Sequence, residues 1–143
     1  MDVLITALIA WMLTQLIKLL LNRRQDGWYN FALLTSSGGM PSSHTALVIA
    51  TTTRIAVTQG IFSPLFGVCV VFSLVIMYDA TGVRHSVGEQ AQILNKIQEE
   101  LKALIAFDPD AIKEVLGHTG IQVFIGLLIG LAVGLLSYFI PMT

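Results

Sequence analysis

Apolar residues run through this chain in long blocks rather than in alternation, and the blocks have the length of membrane-crossing helices. A helix needs about 20 mostly apolar residues to span a bilayer. Val3 to Leu21 is broken by strongly polar side chains only at Gln15 and Lys18, and ends on Asn22-Arg23-Arg24. A second block starts at Pro41 or Ser42 and runs to Gln59; it is the least hydrophobic, holding Thr51, Thr52, Thr53 and Arg54. The third, Ile61 to Tyr78, is rich in Val and Phe and follows the second after the short turn Gln59-Gly60, so the two should form an antiparallel hairpin. The fourth opens near Gly117-His118 and continues to Ile140.

Two stretches read differently. Gln25 to Met40 is a polar loop whose Trp28 and Tyr29 suit the membrane–water interface. Ser86 to Phe107 places Val87, Ile93, Leu94, Ile97, Leu101, Leu104 and Ile105 on one stripe with Gln, Asn, Lys and Glu between them. That period predicts an amphipathic helix lying on the membrane surface or against a partner. Asp108-Pro109-Asp110 should end it, with Pro109 starting a short second helix through Val115.

The pattern thus predicts an all-α integral membrane protein of one domain, residues 1–143, with four transmembrane helices (about 3–21, 42–59, 61–78 and 118–140) plus an amphipathic helix over about 86–107. Composition agrees. The chain is 55% hydrophobic and 12% charged, against roughly 25% charged in soluble domains. Its single cysteine, Cys69, lies in an apolar run and reads as packing. Arg23, Arg24, Arg84, Lys96, Lys102 and Lys113 gather at one face, which the positive-inside rule makes cytoplasmic. Arg54 lies within the second span and is expected to snorkel to the opposite face. Gly126, Gly130 and Gly134 recur every fourth residue in the last span, a ridge for close helix packing within the chain or between chains. So small a bundle encloses little, so a homo-oligomer, most simply a dimer, is expected. No nucleic-acid partner is expected.

Candidate chemistry concentrates in Gly38-Gly39-Met40-Pro41-Ser42-Ser43-His44, between the first two spans. Glycines, a proline suited to the first helical turn, two hydroxyls and an imidazole precede a helix whose free N–H groups form an anion cradle. The up-and-down order brings Lys18 and Arg23-Arg24, Ser42-Ser43-His44, Asp79 and Arg84, and His118 to one membrane face. Two histidines and several cations are what hydrolysis of a phosphate ester needs. One imidazole attacks phosphorus, the other protonates the leaving oxygen, and cations hold the remaining oxygens.

Pro41-Ser42-Ser43-His44, Arg84 and His118, with Asp79-Ala80-Thr81-Gly82-Val83-Arg84 and Gly117-His118-Thr119, resemble the signature of the type-2 phosphatidate phosphatases and the related vanadium-dependent haloperoxidases, most closely a small divergent branch. The resemblance covers nearly the whole chain, which looks like the last four helices of a six-helix core. It implies a cofactor-free, metal-independent hydrolase of lipid phosphates working through a phosphohistidine. His118 would be the nucleophile, His44 the acid, and Lys18, Arg24, Gly39, Ser42, Ser43 and Arg84 the phosphate-binding set. Three departures stand out. Lys18 and Arg24 are one residue too close, and no proline follows. Ser43 replaces a glycine. Gln122 takes the place of an acid that would support the nucleophile, leaving Asp79 or Glu89 as substitute carboxylates. A catalytically silent lipid-phosphate binder or transporter, and a structural assembly protein built on the glycine ridge, are the rival expectations.

Overall fold

In the computed structural model the described residues are 2–26, 39–105 and 117–140, with side chains described outside 24–26 and 103–105. Five α-helices follow one another: α1 (Val3–Asp26), α2 (Ser43–Gln59), α3 (Pro64–Thr81), α4 (Val83–Ile105) and α5 (Gly120–Leu136), closed by a 3-10 turn at Ser137–Phe139. There is no strand among the described residues. The protein is an all-α membrane protein. The segments Val3–Arg23, Pro64–Lys102 and Gly120–Phe139 are long and apolar enough to cross a bilayer, the second running from α3 into α4. The remaining expected span, α2, has 17 residues and reaches about 25 Å at 1.5 Å per residue. The last of these three segments begins at Gly120, two residues later than the fourth expected span, so His118 lies outside it. The expected interfacial loop with Trp28 and Tyr29 and the short helix after Pro109 fall outside the described residues.

Helix α2 is the axis, packed by α1, α3 and α5. That position explains its composition. Ser43, Thr45, Ala46, Ala50, Thr52, Thr53 and Arg54 are buried there. The face of α1 turned inward is likewise small or polar (Thr6, Ala7, Ala10, Thr14, Gln15, Lys18), while Leu4, Leu8, Met12, Leu16 and Leu20 point outward. Polarity is inverted relative to a soluble protein. Between helices lipid offers no hydrophobic drive, so close backbone approach and hydrogen bonds hold them together. Thr52 Oγ1 and Ser73 Oγ meet at 2.9 Å and fasten α2 to α3.

The glycine ridge of α5 is used within the chain. Gly126 abuts the Ser42 carbonyl, and a Cβ on Gly130 would stand 2.6 Å from Ala46 O. Gly130→Leu should therefore cost about 3 kcal/mol or more, read as a lower unfolding midpoint in detergent. The control Gly67→Ala, a position with open space around it, should be neutral or slightly stabilising.

Arg54 corrects the sequence expectation. It turns inward and is 3% exposed. Its Nη1 donates to the Ser137 carbonyl at 2.9 Å, where the C-terminal end of α5 favours a cation. Snorkelling would have cost α2 its place at the axis; the carbonyls at the end of α5 supply a partner inside.

The amphipathic helix also differs in extent. α4 starts at Val83, directly after Gly82, so Arg84 belongs to its first turn rather than to a loop. Val87, Ile93, Leu94, Ile97 and Leu101 form an exposed apolar stripe.

Candidate active site

Three hydrogen bonds gather parts of four helices at one side of the bundle. Ser42 N–H donates to the Gln122 carbonyl at 3.0 Å, and His118 N–H to the Ala80 carbonyl at 3.0 Å. Lys18 Nζ reaches Ser43 Oγ at 3.5 Å. The C-terminal half of α1, the start of α2, the end of α3 and the approach to α5 thus meet, which is the convergence that the alternating topology implies.

The start of α2 is built by Ser42. It is the N-cap, and its hydroxyl accepts from Thr45 N–H and Thr45 Oγ1, the latter at 2.9 Å. Pro41 precedes the cap and is not in the first helical turn, contrary to the sequence reading. Capping uses one of the free donors of the helix start. The N–H groups of Ser43 and His44 keep no partner among the described residues, as the geometry of a helix terminus requires. Gly39 lies just ahead with φ of 87°. Thr45, which the sequence reading passed over, holds the Ser42 hydroxyl; the Ser-x-x-Thr spacing across a helix start was its signal.

Lys18 is 4% exposed and forms no ion pair among the described residues. A buried ammonium whose one described polar contact is a neutral hydroxyl is costly, and an anion beside it offsets that cost. Arg84 is exposed and is held through Nε by the Asp79 carboxylate, leaving its two terminal nitrogens without partners among the described residues. The side chain of Arg24 lies outside the described residues.

His118 is 3% exposed. Its Nδ1 lies 3.2 Å from Gln122 Oε1, and the same oxygen accepts Thr119 N–H at 3.0 Å. A backbone N–H is an obligatory donor, so it fixes which end of the amide faces the ring. Facing an oxygen, Nδ1 must carry the proton, and the lone pair sits on Nε2. That Nε2 is buried and has no partner among the described residues. Gln122 therefore does what the missing acid would do for orientation, without the charge. The signal was in the sequence as Thr119-x-x-Gln122, a capping-box spacing.

Burial lowers the pKa of His118 below its ordinary value. The Gln122 hydrogen bond opposes this, and the positive charges of Lys18, His44 and Arg84 push further down. Arg84 and Lys18 also reach His44, which is exposed. Lys18, His44, Arg84 and His118 thus share one electrostatic neighbourhood. A lowered pKa keeps His118 neutral, with Nε2 free, as pH falls past its usual titration point near ~6.5. In an NMR titration its midpoint should fall below that value, and inorganic phosphate should raise it by neutralising the surrounding cations. An unshifted midpoint would contradict the burial seen here.

Backbone N–H donors, a buried ammonium, a guanidinium and an imidazole nitrogen without a described partner thus lie in this part of the bundle, donors of the kind an oxyanion takes. The sequence matches the divergent PAP2 family over residues 1–133. It is 38% identical over 148 residues to the uncharacterized membrane protein YuiD of Bacillus subtilis (strain 168), covering 95% of this chain and 94% of that one. No solved structure matches. On the extent of these matches, this chain is a member of the divergent PAP2 family.

Proposed function

We propose that the protein is a membrane lipid-phosphate phosphatase that cleaves a phosphomonoester or pyrophosphate through a phosphohistidine. The observation that carries this reading is the buried Lys18, which has no charged partner among the described residues, beside the start of α2, with the His118 Nε2 that lacks a described partner in the same neighbourhood. In the proposed reaction Nε2 attacks phosphorus and the P–O bond to the leaving group breaks. His44 delivers its proton to the departing oxygen. Water, giving its proton to His44, then opens the phosphohistidine and releases phosphate. Lys18, Ser42, Ser43, Arg84 and the first N–H groups of α2 hold the non-bridging oxygens as charge builds on them. Family membership supports a phosphatase-related function. The gathering of basic residues at this end of the chain supports a cytoplasmic active site.

Gln122 favours a second reading, a lipid-phosphate binder that has lapsed as an enzyme, because an amide cannot stabilise the imidazolium formed on the way. Purified protein offered phosphatidate and a polyprenyl pyrophosphate separates the two. Phosphate release supports the enzyme; binding without release supports the binder. Gln122→Glu preserves the reach of the side chain and adds the charge. It should raise the His118 pKa and speed hydrolysis at least tenfold. Turnover appearing only in that variant would establish the lapsed enzyme, and neither binding nor turnover in either protein would defeat both readings.

A further inference from the structure

α3 and α5 both pack on α2 and touch each other only sparingly, and the approach to α5 is tied to the end of α3 by the His118–Ala80 hydrogen bond. Between them lies an open apolar groove of about 890 Å³, walled by Leu74 and Tyr78 on one side and Phe124 and Leu127 on the other. One end carries Asp79, the partner of Arg84, and Gly120, two residues beyond His118. Apart from that end the walls are aliphatic or aromatic.

We propose that this groove receives the first carbons of a single alkyl or isoprenoid chain whose phosphate sits at the cluster of Lys18, His44 and His118, so that substrate enters sideways from the bilayer between α3 and α5. The inference rests on the phosphate reading above. Nearness to the polar cluster selects this occupant: Asp79 lines the groove and holds Arg84, and Gly120 follows His118 by two residues. A chain esterified to a phosphate at His118 has an apolar exit beside Gly120, and a lipid without a phosphate has no reason to prefer this strip of surface to the rest of α3. From Leu74 to Thr81 the wall is about 10 Å long, the reach of roughly eight methylenes. Beyond that the tail lies in the surrounding lipid.

Two measurements test it. A long-chain alkyl phosphonate, whose C–P bond this chemistry does not cleave, is given a diazirine near its sixth carbon, bound to the protein in lipid nanodiscs and irradiated. Labels should concentrate on Tyr78, Phe124 and Leu127, and Lys18→Met should remove them. The matching alcohol should spread over lipid-facing residues such as Leu4 and Phe62. Identical patterns from phosphonate and alcohol, labels outside the groove, or a second copy of the chain cross-linked across it would overturn the proposal. Independently, Leu74→Trp and Leu127→Trp should fill the groove and lower kcat/KM for hexadecyl phosphate at least tenfold while leaving p-nitrophenyl phosphate within twofold. Equal losses on both substrates, or none, would also overturn it. Wild-type protein that hydrolyses neither ester defeats the hydrolytic reading alone, and the labelling pattern still decides the groove.

Discussion

His118→Ala should slow phosphate release by at least about 10⁴-fold with little change in lipid-phosphate binding. The imidazole is the one described group in the cluster with a buried, unprotonated nitrogen free to attack phosphorus, and removing a nucleophile from such a unit costs effects of this order. His44→Ala should be milder with an activated leaving group such as p-nitrophenolate, which departs without a proton, and severe with an alkyl ester, which does not. Release assays on both esters check this. Full activity in His118→Ala would end the phosphohistidine mechanism, whatever else binds at the site.

Lys18→Met should move two observables in opposite directions. Without ligand the variant should unfold at a higher temperature, because a buried ammonium with no described counter-ion is replaced by an apolar side chain of similar length; a gain of about 1–3 kcal/mol is expected. Inorganic phosphate at 100 times its Kd should stabilise the wild-type protein by about 2.7 kcal/mol, and this gain should vanish in the variant. Thermal unfolding with and without phosphate reads both. A Lys18→Met protein less stable than wild type, yet still stabilised by phosphate, would mean that Lys18 serves the packing of α1 and not an anion.

Much of this was legible in the sequence because helix length and end polarity are local properties. The blocks gave α2 to within one residue and α1, α3 and α5 to within about five, and alternation of direction was enough to bring Lys18, Ser43 and His118 to one side of the bundle. Asp79 and Arg84, expected at the same face, pair across the junction of α3 and α4, so Asp79 serves Arg84 and is not the expected substitute carboxylate. What escaped was tertiary. The low hydropathy of α2 signalled a helix sheathed by others, and from inside that sheath Arg54 finds the carbonyl of Ser137, 83 residues away. No local pattern encodes such a partner. The groove between α3 and α5 is also invisible to periodicity, because it depends on how two helices stand to each other once both pack on a third.

Gln122 joins two obligations in separate parts of one residue. Its main-chain oxygen splices α5 to the start of α2, while its side chain steers the imidazole. Exchanging amide for carboxylate there leaves the splice untouched. The charge beside His118 is thus adjustable through one side chain without disturbing the seam that joins the two helices.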